Sequence, residues 1–216
     1  MTEHNFEHMR RAMVASQLRT TGVNDPRVVA AMGAVPRERF VPEHLAAGSY
    51  TDLLVPLGHG RELNSPMALG RLLSEARLQG HERALVIGCA TGYSAAVLCR
   101  LAGSVAALEE VPELAAWARR ELPDTGAELV EGPLAEGWPS GGPYDFILID
   151  GAVEFVPQPI IDQVVDGGQV AAALLDGGVP RLSVGRVVGG AVGWAAFSDA
   201  AAPVLPSFLK PPAFSF

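Results

Sequence analysis

The arrangement of apolar and polar positions changes character near residue 80. Before that point apolar residues recur at helical spacing; after it they gather into short unbroken runs separated by glycine-rich turns and further helical stretches. Over residues 3–19, Phe6, Met9 and Met13 share one face, Glu7, Arg10 and Arg11 lie on the other, and Gly22 ends the pattern. Asp25-Pro26 reads as an N-cap followed by proline at the first helical position, with Val28, Val29 and Met32 forming the apolar face behind it. Residues 35–42 (VPRERFVP) make a proline-bounded connector, and residues 50–60 read as loop or short extended pieces. Ser65-Pro66 opens a third helix carrying Met67, Leu69, Leu72, Leu73 and Ala76. Residues 1–80 are thus expected to form a mostly helical cap.

The stretch from Arg83 to Ala95 (RALVIGCATGYSA) organises the remainder of the chain. Leu85, Val86 and Ile87 read as a strand, Gly88 to Gly92 as a tight turn of small residues, and Tyr93 to Arg100 as a helix packed on that strand. A second strand, Ser104–Glu110, leads to a helix over Pro112–Leu122 and a third strand over Ala127–Glu131. After a Gly/Pro-rich loop containing Trp138 come a strand at Tyr144–Asp150, a helix at Pro159–Val165 and a strand at Gln169–Leu175. Continuous apolar strands alternating with helices indicate a parallel sheet covered on both faces. Arg181–Val188 and Ala191–Phe197 flank Gly189-Gly190, a hairpin signal that ends the sheet antiparallel. Pro203–Phe216 has no periodicity and is expected to wrap the surface in extended form. The fold class is therefore α/β, Rossmann-like. It comprises an N-terminal cap (1–80), a mostly parallel doubly wound sheet with an antiparallel C-terminal hairpin (81–200) and an extended tail (201–216), all one structural unit.

A strand entering a helix through a small-residue turn surrounds a ligand with backbone N–H groups and the positive end of the helix. A carboxylate at the end of the next strand, about twenty residues on, accepts hydrogen bonds from a ribose; Glu109, with Glu110 beside it, has that place. A dinucleotide fingerprint, G-x-G-x-x-G, requires small residues where the pyrophosphate approaches. Here Gly88, Ala90 and Gly92 are followed by the bulky Tyr93, which favours S-adenosylmethionine (SAM), a nucleoside without pyrophosphate, over NAD or FAD. The cofactor candidates are thus Gly88, Cys89, Ala90, Thr91, Gly92, Glu109 and Glu110. Cys89 reads as a small residue in a crowded turn. Asp150 ends a parallel strand, where a substrate or cofactor contact and a cap for the next loop are both open readings. Trp138 reads as loop packing and His59 as a turn residue, with Arg61 and Glu62 solvated.

With 216 residues, 49% of them hydrophobic, the chain suits one domain with a sizeable core. A net charge of −8 argues against a nucleic-acid partner. No apolar run approaches the ~20 residues of a membrane span, and MTEHNFEHMRR at the start has no secretory pattern. Two cysteines and scattered histidines suggest neither a disulfide framework nor a metal site, which makes the cytoplasm the expected compartment.

Residues 13–66 add a specific resemblance. MVASQLRTTGVNDPRVVAAMGAVPRERFVP, and after it YTDLLVPLGHGRELNSP, resembles the N-terminal half of protein-L-isoaspartate O-methyltransferases. The family's pattern there is MV-x-x-QL-x-x-x-G-(I/V)-x-D, then VPR-x-x-FVP, then AY-x-D-x-PLPIG-x-GQTISQP. The resemblance continues through Gly88–Tyr93, Glu109, Gly137-Trp138, Tyr144-Asp145 and Gly167-Gly168, and covers roughly residues 9–175. It implies a class I SAM-dependent methyltransferase fold and methyl transfer to the α-carboxyl of isoaspartyl residues in damaged proteins or peptides. It also implies an adenine contact at Glu131-Gly132, which stand at the family's G-D-G loop. The family's acceptor serine aligns with Asn64, so Asn64 and Ser65 are the candidate catalytic residues, with Ser65 as a plain helix N-cap the competing reading. Val86 replaces an acid, Ala90 a glycine, and the family's V-R-F-V-P-L strand cannot be recognised in residues 197–208. Three readings are open: a carboxyl methyltransferase of the repair type, a SAM-binding relative acting as a sensor or partner module, and a SAM enzyme with a small acceptor placed by Asp150.

Overall fold

The structure, a computed structural model, describes residues 3–210. The last six residues of the expected tail lie outside that span. Helix α1 (Glu3–Met13) leads into a π turn (Val14–Leu18) and a 3₁₀ turn (Arg19–Thr21) rather than running on to residue 19. The hydroxyls of Thr20 and Thr21 donate to the carbonyls of Ser16, Gln17 and Leu18 and compete with regular helical pairing. Helix α2 (Pro26–Ala34) starts as its local signals require: Asp25 accepts from the Arg27 N–H at 2.8 Å, and Pro26 occupies the first turn. The connector turns twice as 3₁₀ and then enters a short hairpin, β1 (Val55–Gly58) and β2 (Arg61–Leu63). The residues read as loop thus include a two-stranded ribbon. Helix α3 (Pro66–Ala76) closes the cap, ending where Arg77 turns left-handed at φ +52°.

The sheet and its covering helices occupy the rest: β3 (Arg83–Ile87), α4 (Tyr93–Leu98), β4 (Ser104–Glu109), α5 (Pro112–Glu121), β5 (Glu128–Glu131), β6 (Tyr144–Val153), α6 (Gln158–Ile161), β7 (Val164–Asp176), β8 (Val179–Val188) and β9 (Ala191–Asp199). The strand order is β5-β4-β3-β6-β7-β8-β9, parallel from β5 through β7 and antiparallel at β8 and β9. Gly189 and Gly190 both take positive φ, +58° and +78°, as the β8–β9 turn demands. Helix α6 is shorter than its sequence pattern because Val164 and Val165 are drawn into β7.

Alternating residues of the buried strands feed two cores. Ala84, Val86, Ala107 and Leu148 pack with α2 to α5, whereas Leu85, Ile87, Leu108 and Ile149 pack with Ile160, Ile161, Leu205 and Phe208. The second face is therefore covered in part by the C-terminal segment. Strand β3 connects to β4 on one side, while its other neighbour is β6. A crevice at such a reversal, outside the carboxyl ends of the strands, is where doubly wound sheets bind ligands. Among the described residues no helix is long and apolar enough to cross a membrane.

Candidate active site

The turn after β3 and the acid at the end of β4 are locked together. Gly88 and Gly92 have φ of +76° and +101°, conformations open to glycine and costly for other residues. Ala90 between them is also left-handed, at φ +49°, a strain of about 1–2 kcal/mol for a residue with a Cβ. Its N–H donates to Glu109 Oε2 at 2.7 Å, which holds the turn in that shape. Glu109 Oε1 accepts from the N–H groups of Glu110 and Val111 at 3.1 and 3.0 Å. Thr91 donates through its hydroxyl to the Phe40 carbonyl at 2.7 Å, tying the turn to the cap. Cys89 is fully buried, and burial, together with the charge of Glu109, pushes its thiol well above the usual range, so it is an unreactive packing residue.

Arg61, read from sequence as solvated, is 4% exposed. Its Nη1 pairs with Glu109 Oε1 at 2.7 Å and its Nη2 donates to the Gly88 carbonyl at 3.1 Å. The β1–β2 hairpin makes this contact across 48 residues of sequence, and burial on β2 alternates, with Arg61 and Leu63 inward and Glu62 half-buried. Three residues are too few for that alternation to be read from the sequence, so only the folded hairpin reveals Arg61.

A second polar cluster gathers around Asp150. Strand β6 carries extra residues between Leu148 and Ala152, and such an irregularity re-aims a side chain. Asn64 Nδ2 donates to Asp150 Oδ1 at 3.0 Å, while Asn64 Oδ1 accepts from the Ser65 N–H at 2.9 Å. Ser65 Oγ accepts from the Ala68 N–H at 3.3 Å, which makes it the N-cap of α3. Arg37, the arginine of the VPR-x-x-FVP stretch and not among the site candidates read from sequence, is wholly buried beneath this loop. Its Nε donates to the Ser49 carbonyl at 2.6 Å and its Nη2 to the Asn64 carbonyl at 2.5 Å, with the guanidinium 4.7 Å from the Tyr93 ring centre. Arg37 Nη1, Tyr93 OH and Ser94 Oγ are buried without hydrogen-bond partners.

Burial raises the pKa of Asp150, against the opposing pull of the Asn64 hydrogen bond and the charges of Arg37 and Arg61. The folded state therefore holds that proton more tightly than the unfolded chain does. From the ordinary carboxylate range near pH 4 upward to the raised folded value, stability falls as pH rises. Asp150→Asn keeps the Asn64 contact and cannot ionise. Its stability relative to the natural chain is expected to improve between pH 3.5 and pH 7, as read by urea denaturation at both; a gap independent of pH would contradict this.

The other sequence candidates lie at the rim. Glu110 Oε1 accepts from Ser207 Oγ at 2.6 Å, and Glu110 Oε2 accepts from the Leu134 N–H at 3.4 Å. Glu131 is exposed and ion-paired with Arg119, so its side chain does not join the cluster, whereas the Gly132 N–H donates to the Glu109 carbonyl at 3.1 Å. The C-terminal segment crosses the crevice from β6. The Ala152 N–H donates to the Pro203 carbonyl at 2.7 Å and the Leu205 N–H to the Ala152 carbonyl at 3.0 Å. A Cβ on Gly151 would lie 2.6 Å from Leu205 Cγ, and one on Gly88 would lie 3.1 Å from Arg61 Nη2 and 3.3 Å from Leu205 Cδ1. The turn and Glu109 fit a nucleoside, and in this structure Arg61 and Leu205 stand against Gly88 at its edge.

Comparison with known proteins identifies the family and the fold. The family model described as protein-L-isoaspartate(D-aspartate) O-methyltransferase matches residues 9–177. A protein-L-isoaspartate O-methyltransferase 2 from Marinobacter nauticus is 41% identical over 182 residues, which is 82% of this chain and 83% of that protein. A protein-L-isoaspartate O-methyltransferase from Methanoculleus marisnigri is 39% identical over 166 residues, 76% of each. Two solved structures share the fold. One, a protein-L-isoaspartate O-methyltransferase, has a TM-score of 0.78 at 21% identity and covers 92% of this chain and 67% of its own. The other, from Plasmodium falciparum and described as a beta-aspartate methyltransferase in complex with S-adenosyl-L-homocysteine, has a TM-score of 0.75 at 17% identity and covers 94% and 98%. With a family model running from residue 9 to residue 177 and relatives this similar along most of their length, the chain belongs to the protein-L-isoaspartate(D-aspartate) O-methyltransferase family.

Proposed function

We propose that this chain is a SAM-dependent carboxyl O-methyltransferase that esterifies the α-carboxyl of isoaspartyl residues in damaged proteins or peptides, working in the cytoplasm. The observation that carries this reading is the junction of the Gly88–Gly92 turn with Glu109, through the Ala90 N–H, at the switch point of the sheet. Its partner is the residue-64 side chain, which reaches the same end of β6. SAM, when bound, supplies the electrophilic methyl. The acceptor carboxylate has a reference pKa of about 4 and is ionised at neutral pH, so no general base is required. The chain's task is to hold that carboxylate in line and keep water out.

Asn64 Nδ2 is the donor for this purpose, and Asp150 Oδ1 now occupies it at 3.0 Å. An entering carboxylate takes Asp150's place on the amide, and the raised pKa of Asp150 lets it give up its charge as the second carboxylate arrives. Arg37 fixes the Asn64 backbone from below and adds positive charge to the same pocket. The test is transfer of labelled methyl from SAM to an isoaspartyl peptide, with the aspartyl peptide of the same sequence as control. A base-labile ester on the isoaspartyl peptide alone is expected; equal labelling of both, or of neither, contradicts the assignment.

A further inference from the structure

We infer that Arg61 and Leu205 form a gate over the nucleoside crevice, and that SAM enters only after Arg61 has left Glu109 and Leu205 has left Gly88. This rests on the SAM-binding reading above and concerns the same site. Glu109 takes four donors unevenly: Arg61 Nη1, Glu110 N–H and Val111 N–H on Oε1, and Ala90 N–H alone on Oε2, so Oε1 is crowded and Oε2 keeps one acceptor position. Three of these donors are backbone groups fixed by the end of β4 and the turn. Only Arg61 is a side chain able to leave, and its departure opens Oε1 to a sugar hydroxyl beside the position already open on Oε2. Its seat is incomplete, because Arg61 Nε is buried without a partner.

The two blocking side chains differ in how they are held: Arg61 on a short ribbon, Leu205 on a segment bonded through its backbone to Ala152 of β6. Arg61 sits on a two-stranded ribbon of four and three residues, a unit with little stability of its own. The tip of that ribbon is left-handed at Gly58, His59 and Gly60, and a Cβ on either glycine would meet nothing within 4 Å. Leu205 rides on a segment with one 3₁₀ turn, Pro206–Phe208, tied at its far side by Ser207 Oγ to Glu110. Both ends of the gate thus close on adjacent carboxylates, Glu109 and Glu110, at the end of β4. A cation on the acid assigned to the ribose and a leucine against the first glycine of the turn stand where a nucleoside is expected to enter.

The test is calorimetric titration of the full chain with S-adenosylhomocysteine, on the natural protein, Arg61→Gln and Leu205→Ala, each first checked for an intact melting transition. The gate predicts affinity at least ten-fold tighter for Arg61→Gln and at least three-fold tighter for Leu205→Ala; a merely structural role predicts weaker binding for both. Should Arg61→Gln prove too unstable, Leu205→Ala leaves the ion pair untouched and decides alone. Binding to the variants equal to or weaker than to the natural chain overturns the gate and leaves the SAM assignment standing. No binding to any of the three at millimolar ligand overturns the SAM assignment, and the gate falls with it.

Discussion

Replacing Glu109 by alanine is expected to destabilise the fold by about 3–5 kcal/mol, the usual cost of stranding one partner of a buried ion pair, and to abolish nucleoside binding. The acid is fully buried, and its loss leaves the Arg61 guanidinium and the N–H groups of Ala90, Glu110 and Val111 without their acceptor. The left-handed Ala90 also loses the bond that holds it in place. Stability and binding can be separated in a second background. Adding Arg61→Met to Glu109→Ala removes the stranded cation and is expected to recover part of the stability, measured by urea denaturation. It should recover none of the affinity. Recovery of binding in the double variant would show that Glu109 is only a counter-ion for Arg61.

Arg37→Ala is the second large effect. It unpairs the buried carbonyls of Ser49 and Asn64, each worth about 1–3 kcal/mol, and empties a site packed against Tyr93, so a loss of about 4 kcal/mol or more is expected. Because Arg37 fixes the backbone of Asn64, methyl transfer should fall by about 100-fold even at temperatures where the variant is folded, the scale associated with a misplacement near 1 Å. Measuring kcat/KM on an isoaspartyl peptide at 15 °C, alongside the melting curve, separates the two losses. Retained turnover in a destabilised but folded protein would show that Arg37 serves packing alone.

The parts of the molecule legible from sequence are those written locally. Asp25-Pro26 and Ser65-Pro66 are helix starts readable within four residues, and both are found where read. Strands β3, β4 and β6 are buried on both faces and so appear as unbroken apolar runs. The Gly88–Gly92 turn and Glu109 are legible because chemistry fixes their spacing along one β-α-β unit. The features that escape such a reading are non-local. Arg61 reaches Glu109 across 48 residues, Arg37 reaches Asn64 across 27, and Asn64 reaches Asp150 across 86. None of these pairings leaves a period in the chain. Leu205 is one apolar residue in a segment without repeat, and only the tertiary fold places it above Gly88. The reading of Arg61 as solvated fails for a related reason. A strand of three residues is too short to display its alternation, so a charge on it reads as surface.

We propose Glu109 as the ribose-binding acid of a crevice that Arg61 closes in this structure. A crystal structure with S-adenosylhomocysteine tests this most directly. The sugar hydroxyls are expected on Glu109, with the Arg61 guanidinium withdrawn and Leu205 displaced from Gly88. An intact Arg61–Glu109 pair in crystals whose ligand lies elsewhere would contradict it.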